Sequence, residues 1–267
     1  MGFRHRGSAR PHAKTPPVES LVPRLIAGGV VSAAVAFLAR RRAALTGSGA
    51  WAAAIVGTLL VLAGWPWLAL VGVFFVTSSA LTRLEPAHRD GMRSRDRAGR
   101  RWQQVAANGG LAALTAAISA LTVWPQGFSV AAGAIAAATA DTWATEVGRW
   151  SRTRPRLITT GEPVAPGVSG GVTAAGTLGS VAGALLIAAL ASLLTGTPHG
   201  GGATSRVAWA AWIAVAGITG SVLDSLLGAT VENRWRWLEN DAVNVVATAW
   251  GAGLMFYVTT HGSVALP

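Results

Sequence analysis

The stretch Phe128–Arg149 reads FSVAAGAIAAATADTWATEVGR: apolar or small as far as Ala140, then interrupted by Asp141, Glu146 and Arg149 before the run ends. Its length suits a membrane-crossing helix. An ionised side chain inside such a helix is costly, and it is normally kept for chemistry, transport or a specific partner. At about 100° per residue, Asp141, Thr145, Arg149, Thr142 and Glu146 share one sector under half the helix, and Ala140, Trp143, Ala144 and Val147 fill the remainder. Lipid cannot solvate that wedge, so it must face a cavity or other protein.

The rest of the chain agrees with a membrane setting. Of 267 residues, 51% are hydrophobic and 12% charged, with a mean hydropathy of +0.44; soluble domains carry roughly twice that charged fraction. Further apolar runs fall near Leu21–Ala39, Ala50–Ala63, Trp67–Leu81, Gln104–Val123, Val168–Leu194, Val207–Val231 and Asp241–Thr260. The expected fold is all-α, a polytopic transmembrane helical bundle of about seven to eight spans with no soluble domain. Residues 21–262 form the membrane domain and residues 1–20 a disordered basic tail. The second and third runs are short and joined at Gly64-Trp65-Pro66-Trp67, so they also read as one hairpin. The apolar stretch comes too late for a signal peptide. With no cysteine, a disulfide framework and a thiolate metal site are both excluded.

Arginine placement sets the expected orientation. The connections Arg40–Gly49, Arg83–Gln103, Arg149–Gly167 and Glu232–Asn240 hold 16 of the 22 basic residues, whereas Trp124–Gly127 and Gly196–Arg206 hold only Arg206. Basic connections belong on the cytoplasmic side of a cell membrane. The same bias accounts for the net charge of +11, and no nucleic-acid partner is expected. Eight spans would leave the basic tail outside; a re-entrant or interfacial first segment would remove that conflict. Ten of the 11 acidic residues, all but Glu19, lie in the basic connections or at nearby segment ends. Any site built on them opens inward.

Asp141 and Glu146 with hydroxyls between them suit a hard cation, and magnesium carrying nucleotide phosphates is the common case. The alternative is a structural ion pair of Arg149 with Asp141 or Glu146. A second face aligns Gly217, Ser221, Asp224, Ser225, Gly228 and Glu232. Small residues at that spacing let helices approach closely, which explains Gly217 but not Asp224. A third stripe, Asp241, Asn244 and Thr248 with Asn240 beside it, opens the last segment; Asp241 could instead cap that helix. A fourth runs Arg101, Gln104, Asn108, Thr115 and Ser119, where Asn108 reads equally as interhelical glue or as a ligand.

Between the fifth and sixth runs lie Arg149, Arg152, Arg154 and Arg156, then Thr159-Thr160, then Pro166-Gly167-Val168-Ser169-Gly170-Gly171-Val172-Thr173. Arginine supplies bidentate phosphate contacts. Consecutive small residues at a helix start expose backbone N–H groups that can cradle phosphate. Gly200-Gly201-Gly202 reads as an outer turn. The histidines lack metal-ligand spacing, and neither a P-loop Gly-Lys-Ser/Thr nor a nucleophile elbow occurs.

Several of these runs together resemble a known membrane family. They are Arg100-Arg101-Trp102-Gln103-Gln104-Val105-Ala106-Ala107-Asn108-Gly109-Gly110, Asp141-Thr142-Trp143-Ala144-Thr145-Glu146-Val147-Gly148 with Pro155-Arg156-Leu157-Ile158-Thr159-Thr160, and Pro166-Gly167-Val168-Ser169-Gly170-Gly171-Val172. Gly220-Ser221-Val222-Leu223-Asp224-Ser225-Leu226-Leu227-Gly228-Ala229 and Asn240-Asp241-Ala242-Val243-Asn244 complete the set. In order and spacing, from Leu45 to Thr260, they resemble the integral-membrane family that contains plant phytyl-phosphate kinase. That family is more distantly similar to CTP-dependent dolichol and phytol kinases and to phosphatidate cytidylyltransferases.

The resemblance implies Mg2+-dependent phosphoryl transfer from a nucleoside triphosphate, with CTP the expected donor, to an isoprenoid (phytyl or polyprenyl) monophosphate at the cytoplasmic face of a cell membrane. On that reading Asp141, Glu146 and Asp224 hold magnesium. The phosphates meet Arg149, Arg152, Arg154, Arg156, Thr160, Gly167, Ser169, Gly170 and Gly171, and Asp241 and Asn244 position metal or acceptor. Asn108, Ser221, Ser225, Gly228 and Asn240 border the site. A homodimer is compatible with this arrangement. The distant relatives use lysine in the basic loop where this chain has only arginine. Formation of a CDP-lipid from the same parts is the alternative enzyme reading; an ion-coupled transporter is the alternative of another class, against which stand the absence of a clear two-half repeat and the clustering of the acids on one side.

Overall fold

A computed structural model describes residues 21–84, 99–195, 203–231 and 240–261. The N-terminal tail and Gly200–Gly202 lie outside the described residues, as does Glu232. Within them run α1 (Leu21–Arg41), α2 (Gly47–Ala63), α3 (Trp65–Arg83), α4 (Trp102–Leu121), α5 (Gly127–Gly148), α6 (Ala174–Thr195), α7 (Ala203–Thr230) and α8 (Asn240–His261). A two-residue pair, β1 (Arg156–Leu157) and β2 (Gly171–Val172), lies antiparallel in the α5–α6 connection. Six helices, α1, α3, α4, α6, α7 and α8, are long and apolar enough to cross a membrane.

The helix ends have local causes. Thr46 caps α2 through Gly49 N, which donates to Thr46 Oγ1 at 3.1 Å. Gly64, at φ +133°, separates α2 from α3, and Pro66 follows in the first turn of α3, where a missing N–H costs nothing. Two boundaries differ from those read in the sequence. The first run forms a continuous 21-residue helix, α1, and of the two runs read as short only the 17-residue α2 falls below spanning length. α6 begins at Ala174 rather than Val168, because Gly171 and Val172 pair with Leu157 and Arg156.

α5 is the axis of the bundle. Every residue from Gly127 to Ala140 is buried, against α3, α4, α6, α7 and α8. Its alanines and glycines follow from that position, since a helix enclosed on all sides has room only for small side chains. A methyl group on Gly183 would lie 3.0 Å from Thr139 O, and one on Gly179 2.6 Å from Trp143 O, so α6 descends α5 in close antiparallel contact. Gly133 and Gly251 meet backbone to backbone where α8 crosses α5. At the opposite end from the arginines, Phe128 stacks edge-on against Trp67 at 5.4 Å, and Trp209 Nε1 donates to Ser129 Oγ at 3.0 Å. That aromatic cluster closes the bundle there, whereas polar groups gather at the arginine-rich end.

Candidate active site

One packing point fixes the geometry of the acids. A methyl group on Gly220 of α7 would sit 2.6 Å from Ala137 Cβ of α5 and 3.1 Å from Ala247 O of α8. Three backbones therefore meet at this level. α7 runs parallel to α5, as the pairs Ala136–Gly217 and Ala137–Gly220 show. α8 runs parallel to α4, because Arg101 meets Asp241 and the Thr248 hydroxyl donates to Ala107 O at 3.2 Å; it is thus antiparallel to α5. One turn toward the arginine-rich end, the same three faces carry Asp141, Asp224 and Asn244.

Both aspartates are partly buried and Asn244 is nearly fully so. Neither Asp141 nor Asp224 stands isolated; each has polar company. The donor atoms offered are all oxygens or an amide, a set that suits magnesium bound jointly with phosphate oxygens and water. Asn244 is also one turn from Thr248, so it stands between the seam and α4. Asp241 lies in the first turn of α8, where an acid is favoured. Its Oδ2 is 3.7 Å from Arg101 Nη2, so the acid in the first turn also makes a cross-helix contact to the start of α4. Asn240 is exposed at the helix start, and Ser221 is buried on the Gly217 face; Ser225 and Gly228 continue that face by helical period.

Glu146 departs from the expected arrangement. Its side chain is 1% exposed, accepts from Thr82 Oγ1 of α3 at 2.8 Å, and pairs with Arg149 Nη1 at 3.1 Å. The polar sector is the reason: Asp141 and Glu146 stand at its two edges, roughly 140° apart, so packing turns one toward α7 and α8 and the other toward α3. Among the described residues, no group of three or more histidines and carboxylates can hold a metal ion. The trio Asp141, Glu146 and Asp224 is therefore not assembled, and the structural ion pair applies to Glu146 and Arg149.

The loop is likewise more structural than its composition suggests. Arg156 Nη1 donates to Gly161 O at 2.8 Å and so ties the loop to itself. Gly171 N donates to Val168 O and Gly170 O accepts from Ile158 N, at 3.0 and 2.9 Å. The Gly170–Gly171 pair thus does not open a helix, and the Gly171 N–H is already engaged. Gly170, at φ +77°, is required by close approach to α7: a Cβ there would meet Ala229 Cα at 2.7 Å. Thr160 Oγ1 accepts from Glu162 N at 3.3 Å, Gly167 is an exposed turn at φ +89°, and Ser169 is partly buried with polar company. Arg152 and Arg154 project into solvent.

Asn108 also turns elsewhere. Ala107 faces α8, so the next residue faces away, and Asn108 lines a cleft between α1, α2, α3 and α4 with Gln104 and Arg100. Sequence reasoning missed the neighbouring pocket of about 300 Å³, whose charged lining among the described residues is Arg42, Arg83 and Arg100. They come from the two connections Arg40–Gly49 and Arg83–Gln103, whose arginines were read as a sign of orientation, with Arg100 also opening a run that carries the family resemblance. The usable signal was Ser79, Thr82 and Arg83 on one face at the end of α3.

The fold and this cluster define an integral-membrane helical bundle with a polar site at one end. The chain belongs to the family described as integral membrane protein DUF92, whose model matches residues 30–252. It is 35% identical over 228 residues to Protein PGR of Arabidopsis thaliana, covering 78% of this chain and 79% of that one. An uncharacterised membrane protein of Methanocaldococcus jannaschii is 32% identical over 245 residues, 91% of this chain and 98% of its own. One from a Synechocystis strain is 34% identical over 212 residues, 75% and 77%. No solved structure matches the chain.

Proposed function

We propose that this protein is a magnesium-dependent phosphotransferase that makes an isoprenoid diphosphate from an isoprenoid monophosphate and a nucleoside triphosphate, with CTP as the expected donor. The observation that carries the reading is the shared level of Asp141, Asp224 and Asn244, one turn below the Ala137–Gly220–Ala247 contact. It is supported by the resemblance of these runs to phytyl-phosphate kinase. The acceptor oxygen bonds to the γ-phosphorus as the bond from that phosphorus to the β,γ-bridging oxygen breaks, leaving a nucleoside diphosphate. The acceptor is already ionised and needs no strong base, so positioning and charge neutralisation carry the barrier reduction.

In this reading Asp141 and Asp224 hold the metal and Asn244 orients a phosphate oxygen. Magnesium, when bound, neutralises charge on the triphosphate. Arg152 and Arg154 draw the donor toward the membrane surface from solvent. The site faces the cytoplasm, where the nucleotide is.

The test is purified protein with CTP, ATP, GTP or UTP against phytyl, geranylgeranyl and undecaprenyl monophosphates, with and without magnesium. Metal-dependent diphosphate formation is expected, and Asp141→Asn and Asp224→Asn should each lower it roughly a hundredfold or more without loss of folded protein. Normal turnover in both variants would overturn the assignment. Transfer of label from the α- rather than the γ-phosphate into lipid would mean a nucleotidyltransferase. Nucleotide-independent solute uptake into vesicles would mean a transporter.

A further inference from the structure

Trp143 stands outside the polar sector of α5, yet its indole Nε1 is buried and has no hydrogen-bond partner among the described residues. An indole N–H can only donate, and a buried donor left unmade costs more than the bond would have contributed. A group of this kind in a native fold calls for an acceptor supplied from elsewhere. α6 passes Trp143 with glycine at each contact. A methyl group on Gly183 would lie 3.1 Å from Trp143 Cγ, one on Gly179 2.6 Å from Trp143 O, and one on Gly176 2.8 Å from Ala144 O. The ring is therefore accommodated on the flank of α5 where α6 is thinnest.

Helical period relates this indole to Asp224. α5 and α7 run parallel and meet at Ala136 and Gly217, where a methyl group on Gly217 would lie 3.0 Å from Ala136 Cβ and 2.8 Å from Ala184 Cβ of α6. Seven residues return a helix to nearly the same face. Trp143 is seven residues beyond Ala136, and Asp224 is seven beyond Gly217. The two thus stand side by side on the α6 flank of the α5–α7 contact. Both side chains lean toward their own helix N-terminus, which is the same direction in parallel helices, so they keep a common level. Ser180, one turn from Ala184, and Ser221, one turn from Gly217, are buried on that flank as well. Asp141 lies on the other flank of α5, roughly 160° away from Trp143. Asp224 serves both, because it also follows Gly220 by one turn.

We propose that Trp143 donates its indole N–H to a phosphate oxygen of the ligand held at Asp224, so that the site extends from the α8 side of α7 to the α6 side. The carboxylates offer oxygens to a cation and the indole offers a hydrogen to an anion; a metal-bound phosphate presents both. The inference rests on the phosphotransferase reading of Asp224 and adds a binding residue to it.

The experiment places β-(3-benzothienyl)alanine at position 143 of the full-length protein in nanodiscs. That residue keeps the outline of tryptophan and carries no N–H. Ligand-free thermal stability and the affinities for Mg2+–CTP and for farnesyl monophosphate are measured beside unaltered protein. In protein labelled with 15N at its indoles, the Trp143 signal is assigned among the 12 tryptophans by its loss in Trp143→Phe. Ligand-free stability should not fall, since no described residue accepts that hydrogen. Affinity for one of the two phosphates should drop roughly tenfold or more, and the Trp143 N–H signal should move downfield when that phosphate is added. A response to Mg2+–CTP assigns the bond to the donor nucleotide, and one to farnesyl monophosphate to the acceptor. Reduced stability without ligand would mean that the N–H is bonded within the fold, and it would overturn the proposal. Equal affinities with an unmoved signal, or no binding of either phosphate to unaltered protein, would overturn it too. Binding and shift as expected, with no transfer from any triphosphate, would sink the phosphotransferase reading and leave Trp143 as a phosphate ligand. Full transfer activity in the benzothienyl protein would remove this inference alone.

Discussion

Where α5 meets α7 and α8 the backbones nearly touch, and a methyl group has no place at Gly133, Gly220 or Gly251. α1 and α2 also touch closely, at Gly28 and Gly57, but α3 stands off from α1 and α4 and leaves a basic pocket and an apolar cleft between them. The difference is one of residue size acting through the same helical geometry. Small residues on three faces draw backbones together, and whatever follows one turn later is forced into shared space. That is how Asp141, Asp224 and Asn244 come to one level. On the looser side, large residues such as Phe74, Phe75 and Leu68 prop helices apart, and cations gather at the rim. One region confines carboxylates by close packing; the other leaves a space lined with arginine.

The sharpest break falls on the ion pair between the two regions. Arg149→Gln removes one charged partner of the buried Glu146 and should destabilise the protein by about 1–3 kcal/mol, whereas adding Glu146→Gln should recover most of the loss. Thermal unfolding in detergent reads both; equal stability of the single and double variants would mean that the pair is not buried as described. Next, Gly220→Val should cost about 1–3 kcal/mol through overpacking and take activity with it. The same change at Gly253, where a methyl group meets nothing within 4 Å, should be near neutral. Thr82→Val removes one bond to Glu146, an effect of roughly 1 kcal/mol, and sharpens the boundary between pocket and pair. Smallest, Arg156→Gln should change stability by no more than about 0.5 kcal/mol, since it ties an exposed loop to itself rather than closing a phosphate site.

These contrasts also explain what could be read in advance. Long apolar runs, Gly64-Trp65-Pro66 and the arginine bias mark helices and ends with little tertiary input, so the bundle was legible. The stripe through Asp241, Asn244 and Thr248 was legible too, because one face of one helix is a local property. Glu146 was not: a sector of roughly 140° does not say which neighbour takes each edge. Gly170-Gly171 looked like an anion cradle because the same residues serve close packing, here against Ala229. The Arg42–Arg83–Arg100 pocket joins the α1–α2 and α3–α4 connections, which are far apart in sequence, and no local pattern announces it.

The convergence of Asp141 and Asp224 can be measured directly, because the chain contains no cysteine. Replacing both with cysteine and treating membranes with a short bifunctional thiol reagent, or with cadmium, should give an intramolecular bridge detected by mass spectrometry. The two single variants should give none. A folded double variant that forms no bridge, across the range of reagent lengths, would contradict the shared seam on which the site is built.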